Sequence, residues 1–331
     1  MYTNKILILD SLRAFAALSV CLFHFVYTTI GFVDTQWIRD LFSVGKYGVQ
    51  MFFVISGFVI PWAMHQSNYQ IRNFFSFFLK RLARLEPPYI FSLILTLVIL
   101  FLREKFLGKS NEHLNLNGQQ VLLHIGYLIP FFEGYHWLNM VYWTLAVEFQ
   151  YYILIAILFI PFTKSNVLVR VVIYLLFLVG GLTDNDSFLL YWLPLFLIGI
   201  SLFLFISKYI SRAEYLILNI VLILFSLYKY PLAAIVFILI PIVFILFFKD
   251  QKIKGLNFIG KFSYSIYLIH PIIGASFINI CSHYVDNAFI KLLVILGGML
   301  LTFLISGLTY ILVEQPSKNF SASIKYRLDK P

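Results

Sequence analysis

The sequence predicts an all-α, polytopic membrane protein with a bundle of about ten transmembrane helices. Of its 331 residues, 61% are hydrophobic and only 12% are charged, and the mean hydropathy is +0.88. A soluble globular domain has about 25% charged residues. The apolar residues are gathered in runs that approach the roughly 17–25 residues a helix needs to cross a bilayer. We therefore expect one integral membrane domain over residues 1–331.

Ten apolar runs are long enough, or nearly long enough, to span the membrane. They cover residues 11–30, 44–64, 87–103, 141–161, 167–183, 188–207, 213–229, 231–248, 263–283 and 288–313. An even count places both termini on one side. If that side is cytoplasmic, 18 of the 25 lysines and arginines lie inside, which satisfies the positive-inside rule. The sequence therefore predicts a multi-pass protein with both termini in the cytoplasm.

The formal net charge of +10 does not indicate a nucleic-acid partner. The basic residues are scattered between apolar runs, as topology requires, and they form no basic arm. Cys21 and Cys281 both fall inside apolar runs, so neither a disulfide framework nor a metal site is expected. The partners expected from composition are membrane lipids.

The first helix, in LDSLRAFAALSVCLFH, carries Arg13 and His24 on one face. At about 100° and 1.5 Å per residue, the two side chains point within about 20° of each other and lie about 16 Å apart along the axis. They are too distant to be partners of each other. Ionisable residues within a membrane indicate a substrate path or a reaction centre.

Glu148, in VYWTLAVEF, is predicted at the same depth as His24, because the fourth helix enters from the outer side near residue 141. We expect the two side chains to be neighbours, as in a general-base pair in which a carboxylate orients the imidazole. The alternative is a buried hydrogen bond with a structural role only.

Polar or small residues in two further helices can be explained either by helix packing or by a functional role. In the second helix, Ser56 and Gly57 either allow close helix packing or make room for a ligand chain to which Ser56 donates. In the ninth, KFSYSIYLIHP carries Tyr267 and His270, with His270 about 10 Å from the cytoplasmic boundary. Considered alone, His270 fits a packing role better than a catalytic one.

Arg81 and Arg84, in RLARLEPPY, lie one helical turn apart in the segment 65–86, which we expect to be cytoplasmic. Pro87 and Pro88 are expected to begin the third helix, because proline is tolerated in a first turn. The arginines either set topology or bind phosphates through planar, bidentate hydrogen bonds. On the outer side, residues 121–132 are too short to span and are expected to be interfacial or re-entrant.

Together these stretches resemble the membrane-bound acyltransferase 3 family, bacterial O-acyltransferases of surface glycans. The matching motifs occur in the family's order and are LDSLRAFAALSVCLFH, GKYGVQMFFVISGF, RLARLEPPY, WTLAVEFQYY, SYSIYLIHP and VEQP. The resemblance implies transfer of an acyl group, usually acetyl with succinyl as the alternative, from cytoplasmic acyl-CoA. The acceptor it implies is a hydroxyl of an exopolysaccharide, a lipopolysaccharide O-antigen or a lipid-linked sugar.

The resemblance also implies roles for individual residues. His24 corresponds to the catalytic histidine, with Glu148 as the acidic position after Trp143, and Arg13 completes the family's arginine–histidine pair. Acyl-CoA is implied as a co-substrate, with no tightly bound cofactor and no metal. The expected substrate-binding set is Arg13, Arg81, Arg84, Ser56, Gly57, Trp143, Tyr267 and His270.

Some relatives carry an extracytoplasmic hydrolase-like domain that we do not expect here, so any second step would fall to another protein. A polysaccharide-biosynthesis protein or a second copy of the chain is then a candidate partner in the bacterial inner membrane. The competing class is a transporter or flippase of lipid-linked sugars, since intramembrane polar residues also mark substrate paths. The concentration of polar residues in the first 150 positions favours a single reaction centre.

Overall fold

The computed structural model describes residues 6–29, 32–108 and 116–326, and these residues form helices and no strand. The α-helices are α1 Ile8–Phe23, α2 Gln36–Ser43, α3 Gly48–Gln66, α4 Phe74–Leu107, α5 Gly118–Ile125, α6 Tyr142–Lys164, α7 Val167–Gly180, α8 Leu189–Ile206, α9 Arg212–Lys229, α10 Leu232–Phe248, α11 Lys254–Gly260, α12 Ser263–Ile269, α13 Ser276–Cys281, α14 Ala288–Thr309 and α15 Gln315–Ser323. All ten predicted runs are helical over most of their length.

Three helices pass through a turn of π-helix, in which each backbone N–H bonds five residues back. These turns are π1 His24–Thr28 after α1, π2 Pro271–Ala275 between α12 and α13, and π3 Tyr310–Glu314 between α14 and α15. A π-turn widens the helix locally and is often found at a functional site. Two of the three turns begin at, or directly after, a predicted site histidine.

Seven helical stretches among the described residues are long and apolar enough to cross a membrane. They are Ile8–Thr28, Gln36–Gln66, Ile71–Phe106, Tyr142–Lys164, Leu189–Ile206, Ser263–Cys281 and Ala288–Ser323. The protein is therefore a multi-pass helical membrane protein. The helices α7 and α10 are apolar but shorter, so the count of ten spans and the orientation of the termini stay predictions.

The predicted start of the third helix at Pro87 is wrong, because α4 already begins at Phe74 and runs through both prolines. A proline removes one backbone N–H from a helix, and in a membrane protein neighbouring helices stabilise the interruption. Beside this interruption, the Tyr264 hydroxyl donates to the Leu85 carbonyl at 3.1 Å. The segment before the prolines is thus part of a long helix and is not a loop.

The helices α3 and α8 form the centre of the bundle. Their apolar stretches are 72% and 78% buried, against 11% for the stretch that contains α14 and α15. A Cβ added to Gly57 would lie 2.3 Å from the Phe196 carbonyl oxygen, and one added to Gly199 would lie 2.2 Å from that of Val54. These two glycines therefore allow direct backbone contact, as small residues do between membrane helices.

The short helix α5 and the turn after it lie against the middle of α4, and the interfacial or re-entrant position of residues 121–132 stays a prediction. Tyr127 donates to Glu86 at 2.9 Å, and Tyr89 donates to the His124 carbonyl at 3.0 Å. His124 accepts at Nε2 from the Leu138 backbone N–H, and burial lowers its pKa. The neutral His124 ring is therefore a structural support of this segment. The side-chain amide of Asn139 donates to the Leu268 carbonyl at 3.1 Å and thereby connects this segment to α12.

Candidate active site

A cavity of about 770 Å³ lies between the beginning of α1, the beginning of α4, and residues 310–326. The helices α3, α6, α11 and α12 complete its wall. Six of the predicted site residues line the cavity, namely Arg13, Ser56, Arg81, Arg84, Glu148 and Tyr267. The other four are not among its lining residues; they are His24, Gly57, Trp143 and His270.

The cavity wall has more basic than acidic side chains. The basic ones are Arg13, Lys80, Arg81, Arg84, Lys261 and Lys318, and the acidic ones are Asp10, Glu148 and Glu314. Arg13 and Arg84 repel each other electrostatically, while Glu148 attracts both Arg13 and Arg81. Like charges held together in a partly buried site favour an anionic ligand, because the ligand removes their mutual repulsion.

Arg81 is held by aromatic rings, and among the described residues it forms no salt bridge with a carboxylate. Its guanidinium lies 5.3 Å from the centre of the Phe77 ring and 5.8 Å from that of Tyr152. Cation–π contacts of this length fix the orientation of the group. They leave the hydrogen-bonding edge of the guanidinium available for an anion.

The C-terminal part of the cavity wall was missed by sequence reasoning, in which Glu314 appears only within the VEQP motif. Glu314, 1% exposed, pairs with Lys318 at 2.6 Å and accepts from the hydroxyl of Ser265 at 2.5 Å. The Ser321 hydroxyl donates to the Lys80 carbonyl at 2.7 Å, joining α15 to α4. The spacing of Glu314 and Lys318, one helical turn, is a sequence signal that indicates an ion pair.

The expected pairing of Glu148 with His24 is wrong in the structure. Ser56 donates its hydroxyl hydrogen to Glu148 at 2.7 Å, and the buried His24 Nδ1 has no hydrogen-bond partner. Equal depth in the membrane does not ensure contact, since side chains on different helices also differ in rotation about the helix axis. Glu148 therefore belongs to the cavity with Arg13 and Arg81.

Tyr267 connects the cavity to the two histidines. Thr144 donates to the Val141 carbonyl, so the 2.9 Å contact between its oxygen and that of Tyr267 uses the Tyr267 hydrogen. The Tyr267 ring then lies 6.0 Å from the His270 ring, measured between centroids. His270 in turn lies 5.2 Å from the His24 ring. The sequence Tyr267, His270, His24 thus leads from the cavity to the first π-turn.

Among the residues described, no group of three or more histidine, cysteine, aspartate or glutamate side chains is placed to hold a metal ion. Trp143 packs on Trp192 at 5.3 Å and on Phe53 at 6.3 Å between ring centroids. It therefore supports the wall that Phe53 presents to the cavity. Gly57 faces the Phe196 backbone, which assigns it to helix packing and not to a ligand.

We expect Gly57→Ala to destabilise the fold without changing the chemistry of the cavity. Its new Cβ would overlap the Phe196 backbone, which is rigid, and overpacking of this kind costs about 1–3 kcal/mol. The measurement is the thermal unfolding midpoint of the detergent-purified protein. Gly307→Ala is the matched control, because Gly307 is also helical and an added Cβ meets nothing within 4 Å. Equal midpoints for the two variants would contradict the packing role of Gly57.

The fold and the cavity define a class of polytopic membrane protein in which a basic cavity adjoins two neighbouring histidines, the buried His270 and the half-buried His24. The model of the acyltransferase domain family matches residues 6–311. The chain therefore belongs to this family, the membrane-bound acyltransferase 3 family.

Curated relatives are bacterial. The chain is 29% identical to O-acetyltransferase OatA of Staphylococcus aureus strain NCTC 8325, over 95% of the chain and 58% of that protein, with the same values for strain COL. It is 26% identical to a putative O-acetyltransferase of strain COL, over 46% of the chain and 24% of that protein. The chain thus spans little more than half the length of OatA. No solved structure matches.

Proposed function

We propose that this protein is an O-acyltransferase that takes an acetyl group from acyl-CoA and transfers it to a hydroxyl of a surface polysaccharide or lipid-linked sugar. In this proposal the protein lies in the bacterial inner membrane and the basic cavity faces the cytoplasm, where acyl-CoA is made. The observation that carries the proposal is a cavity with a largely basic lining that also includes Tyr267, whose ring lies 6.0 Å from that of His270, the neighbour of His24.

The cavity suits the donor in size and chemistry. Its volume of about 770 Å³ lies in the range of about 300–1,000 Å³ that small-molecule sites occupy. CoA carries phosphates at its nucleotide end, and Arg81 and Arg84 supply forked donors for them. The pantetheine arm of CoA is extended and largely uncharged, and Val49, Phe52 and Phe53 offer it an apolar wall.

The proposed reaction is a direct acyl transfer with His24 as general base. His24 removes the proton from the acceptor hydroxyl while the oxygen attacks the thioester carbonyl carbon. The new C–O bond forms, the C–S bond breaks, and the CoA thiolate receives the proton from His24. General-base catalysis contributes about 10²–10⁴-fold to such a step. The hydroxyl hydrogen of Ser56 is already donated to Glu148. We therefore do not assign to Ser56 the stabilisation of the oxyanion.

The proposal is tested with the full chain in lipid nanodiscs, with acetyl-CoA as donor and water as acceptor. Free CoA and acetate are measured by mass spectrometry, because thiol reagents would also detect Cys21 and Cys281, which are free thiols. Thioester turnover above that of empty nanodiscs is expected. We also expect acetyl esters on surface glycans of cells that express the gene, and their loss on deletion. Sugar translocation without CoA release would instead identify a flippase and overturn the proposal.

A further inference from the structure

The ring of His270 is fully buried, yet one of its nitrogens has no partner. His270 Nδ1 lies 3.1 Å from the Ile266 carbonyl oxygen, which can only accept. Nδ1 must therefore carry the hydrogen, and Nε2 is left as an acceptor. Nε2 is buried and makes no hydrogen bond within the described chain, although a buried polar atom without a partner is costly.

His24 presents the complementary group. Its ring lies 5.2 Å from that of His270 and is tilted by 36° to it, and its Nδ1 is also buried without a partner. The two unpartnered nitrogens thus belong to neighbouring rings on different helices. If these two side chains served only to pack the helices together, apolar residues would be expected at both positions.

The fold holds the two rings together through the π-turns. A Cβ on Gly274, in π2, would lie 2.1 Å from the ring of Phe25, in π1, so the two turns are in direct contact. Beyond them, the Thr29 hydroxyl donates to the Asn279 side chain at 2.9 Å. The position of His270 relative to His24 is therefore built into the backbone.

We infer that His270 is the positioning residue of the catalytic imidazole: in the reacting complex its Nε2 accepts a hydrogen bond from the Nδ1–H of His24. This inference rests on the proposed function. The hydrogen bond fixes the tautomer of His24, so that His24 Nε2 is the base that removes the acceptor proton. Catalytic hydrogen bonds are often long in the absence of substrate and shorten in the complex. In this arrangement His270 orients the catalytic histidine as the carboxylate does in a Ser-His-Asp triad, but His270 is uncharged.

The test compares two substitutions that preserve different halves of the ring. His270→Asn keeps a donor close to Nδ1 and removes the acceptor at Nε2, whereas the oxygen of His270→Gln reaches the position of Nε2. We expect H270N to lower kcat for acetyl-CoA turnover by about 10–100-fold with unchanged KM, less than the roughly 10⁴-fold caused by loss of an orienting carboxylate, because His270 carries no charge. We expect H270Q to retain kcat within about tenfold of the wild type, because its oxygen can still orient the imidazole of His24.

A second arm separates positioning from packing. In a His24→Ala background, H270N should cause no further loss, because the ring that it orients is absent. Unchanged kcat in folded H270N, or an equal loss of kcat in H270N and H270Q, would overturn the inference. A further loss in the H24A background would do the same. Failure of the wild-type chain to release CoA would instead overturn the proposed function.

Discussion

His24→Ala is expected to lower the rate of acetyl transfer by about 10²–10⁴-fold, the usual contribution of a general base. The ring is the last in the series that leads from the cavity wall at Tyr267 through His270. It does not line the cavity, so KM for acetyl-CoA should change little. The expected signature is a fall in kcat with donor binding retained, measured by CoA release and by binding of a non-hydrolysable acyl-CoA analogue.

His65→Ala is the control for this experiment. His65, like His24, is a histidine of a membrane helix that lies outside the lining of the cavity, but its ring bonds the Tyr209 hydroxyl at 2.9 Å and is not part of the series from Tyr267 to His24. Its variant should retain kcat once expression and folding are matched. Retention of full kcat by His24→Ala, or an equal loss in both variants, would remove His24 from the role of base.

The sequence predicts the class and most helix positions well, because apolar run length is a direct consequence of bilayer thickness. The run predicted at 141–161 is the helix Tyr142–Lys164 in the structure. The residue at which a helix begins is predicted less reliably, because that prediction depends on local signals such as proline. Pro87 and Pro88 are a reasonable first turn by local rules, but α4 begins at Phe74 and continues through them, because packing against neighbouring helices can outweigh a local preference.

The site is predictable only in part, because depth in the membrane says nothing about which helices are neighbours. The predicted depth of Glu148 in the membrane equals that of His24, but in the structure the hydrogen-bond partner of Glu148 is Ser56 on α3. The contribution of α15 was not predictable either. It follows the last apolar run, and its contact with Lys80 joins residues that are 241 positions apart.

Arg81→Gln and Arg84→Gln are each expected to raise KM for acetyl-CoA by about 10–100-fold. This corresponds to loss of a charge-assisted hydrogen bond, worth about 1.5–3 kcal/mol. Glutamine retains part of the side-chain length and removes the charge. Lysine at either position should restore binding only in part, because it keeps the charge without the planar fork. KM is measured by CoA release over a series of acetyl-CoA concentrations at constant ionic strength.

Arg212→Gln is the matched control, since Arg212 is exposed at the start of α9 and lies outside the cavity lining. If Arg81 and Arg84 bind phosphates, added salt should raise KM more steeply for the wild type than for either variant, because the variants have one charge contact fewer to screen. If Arg81 and Arg84 only set topology, all three variants should behave alike. Each should then change the amount of protein inserted into the membrane and leave KM for acetyl-CoA unchanged. The salt response therefore separates a phosphate site from the positive-inside rule, a distinction that charge counts in the sequence cannot make.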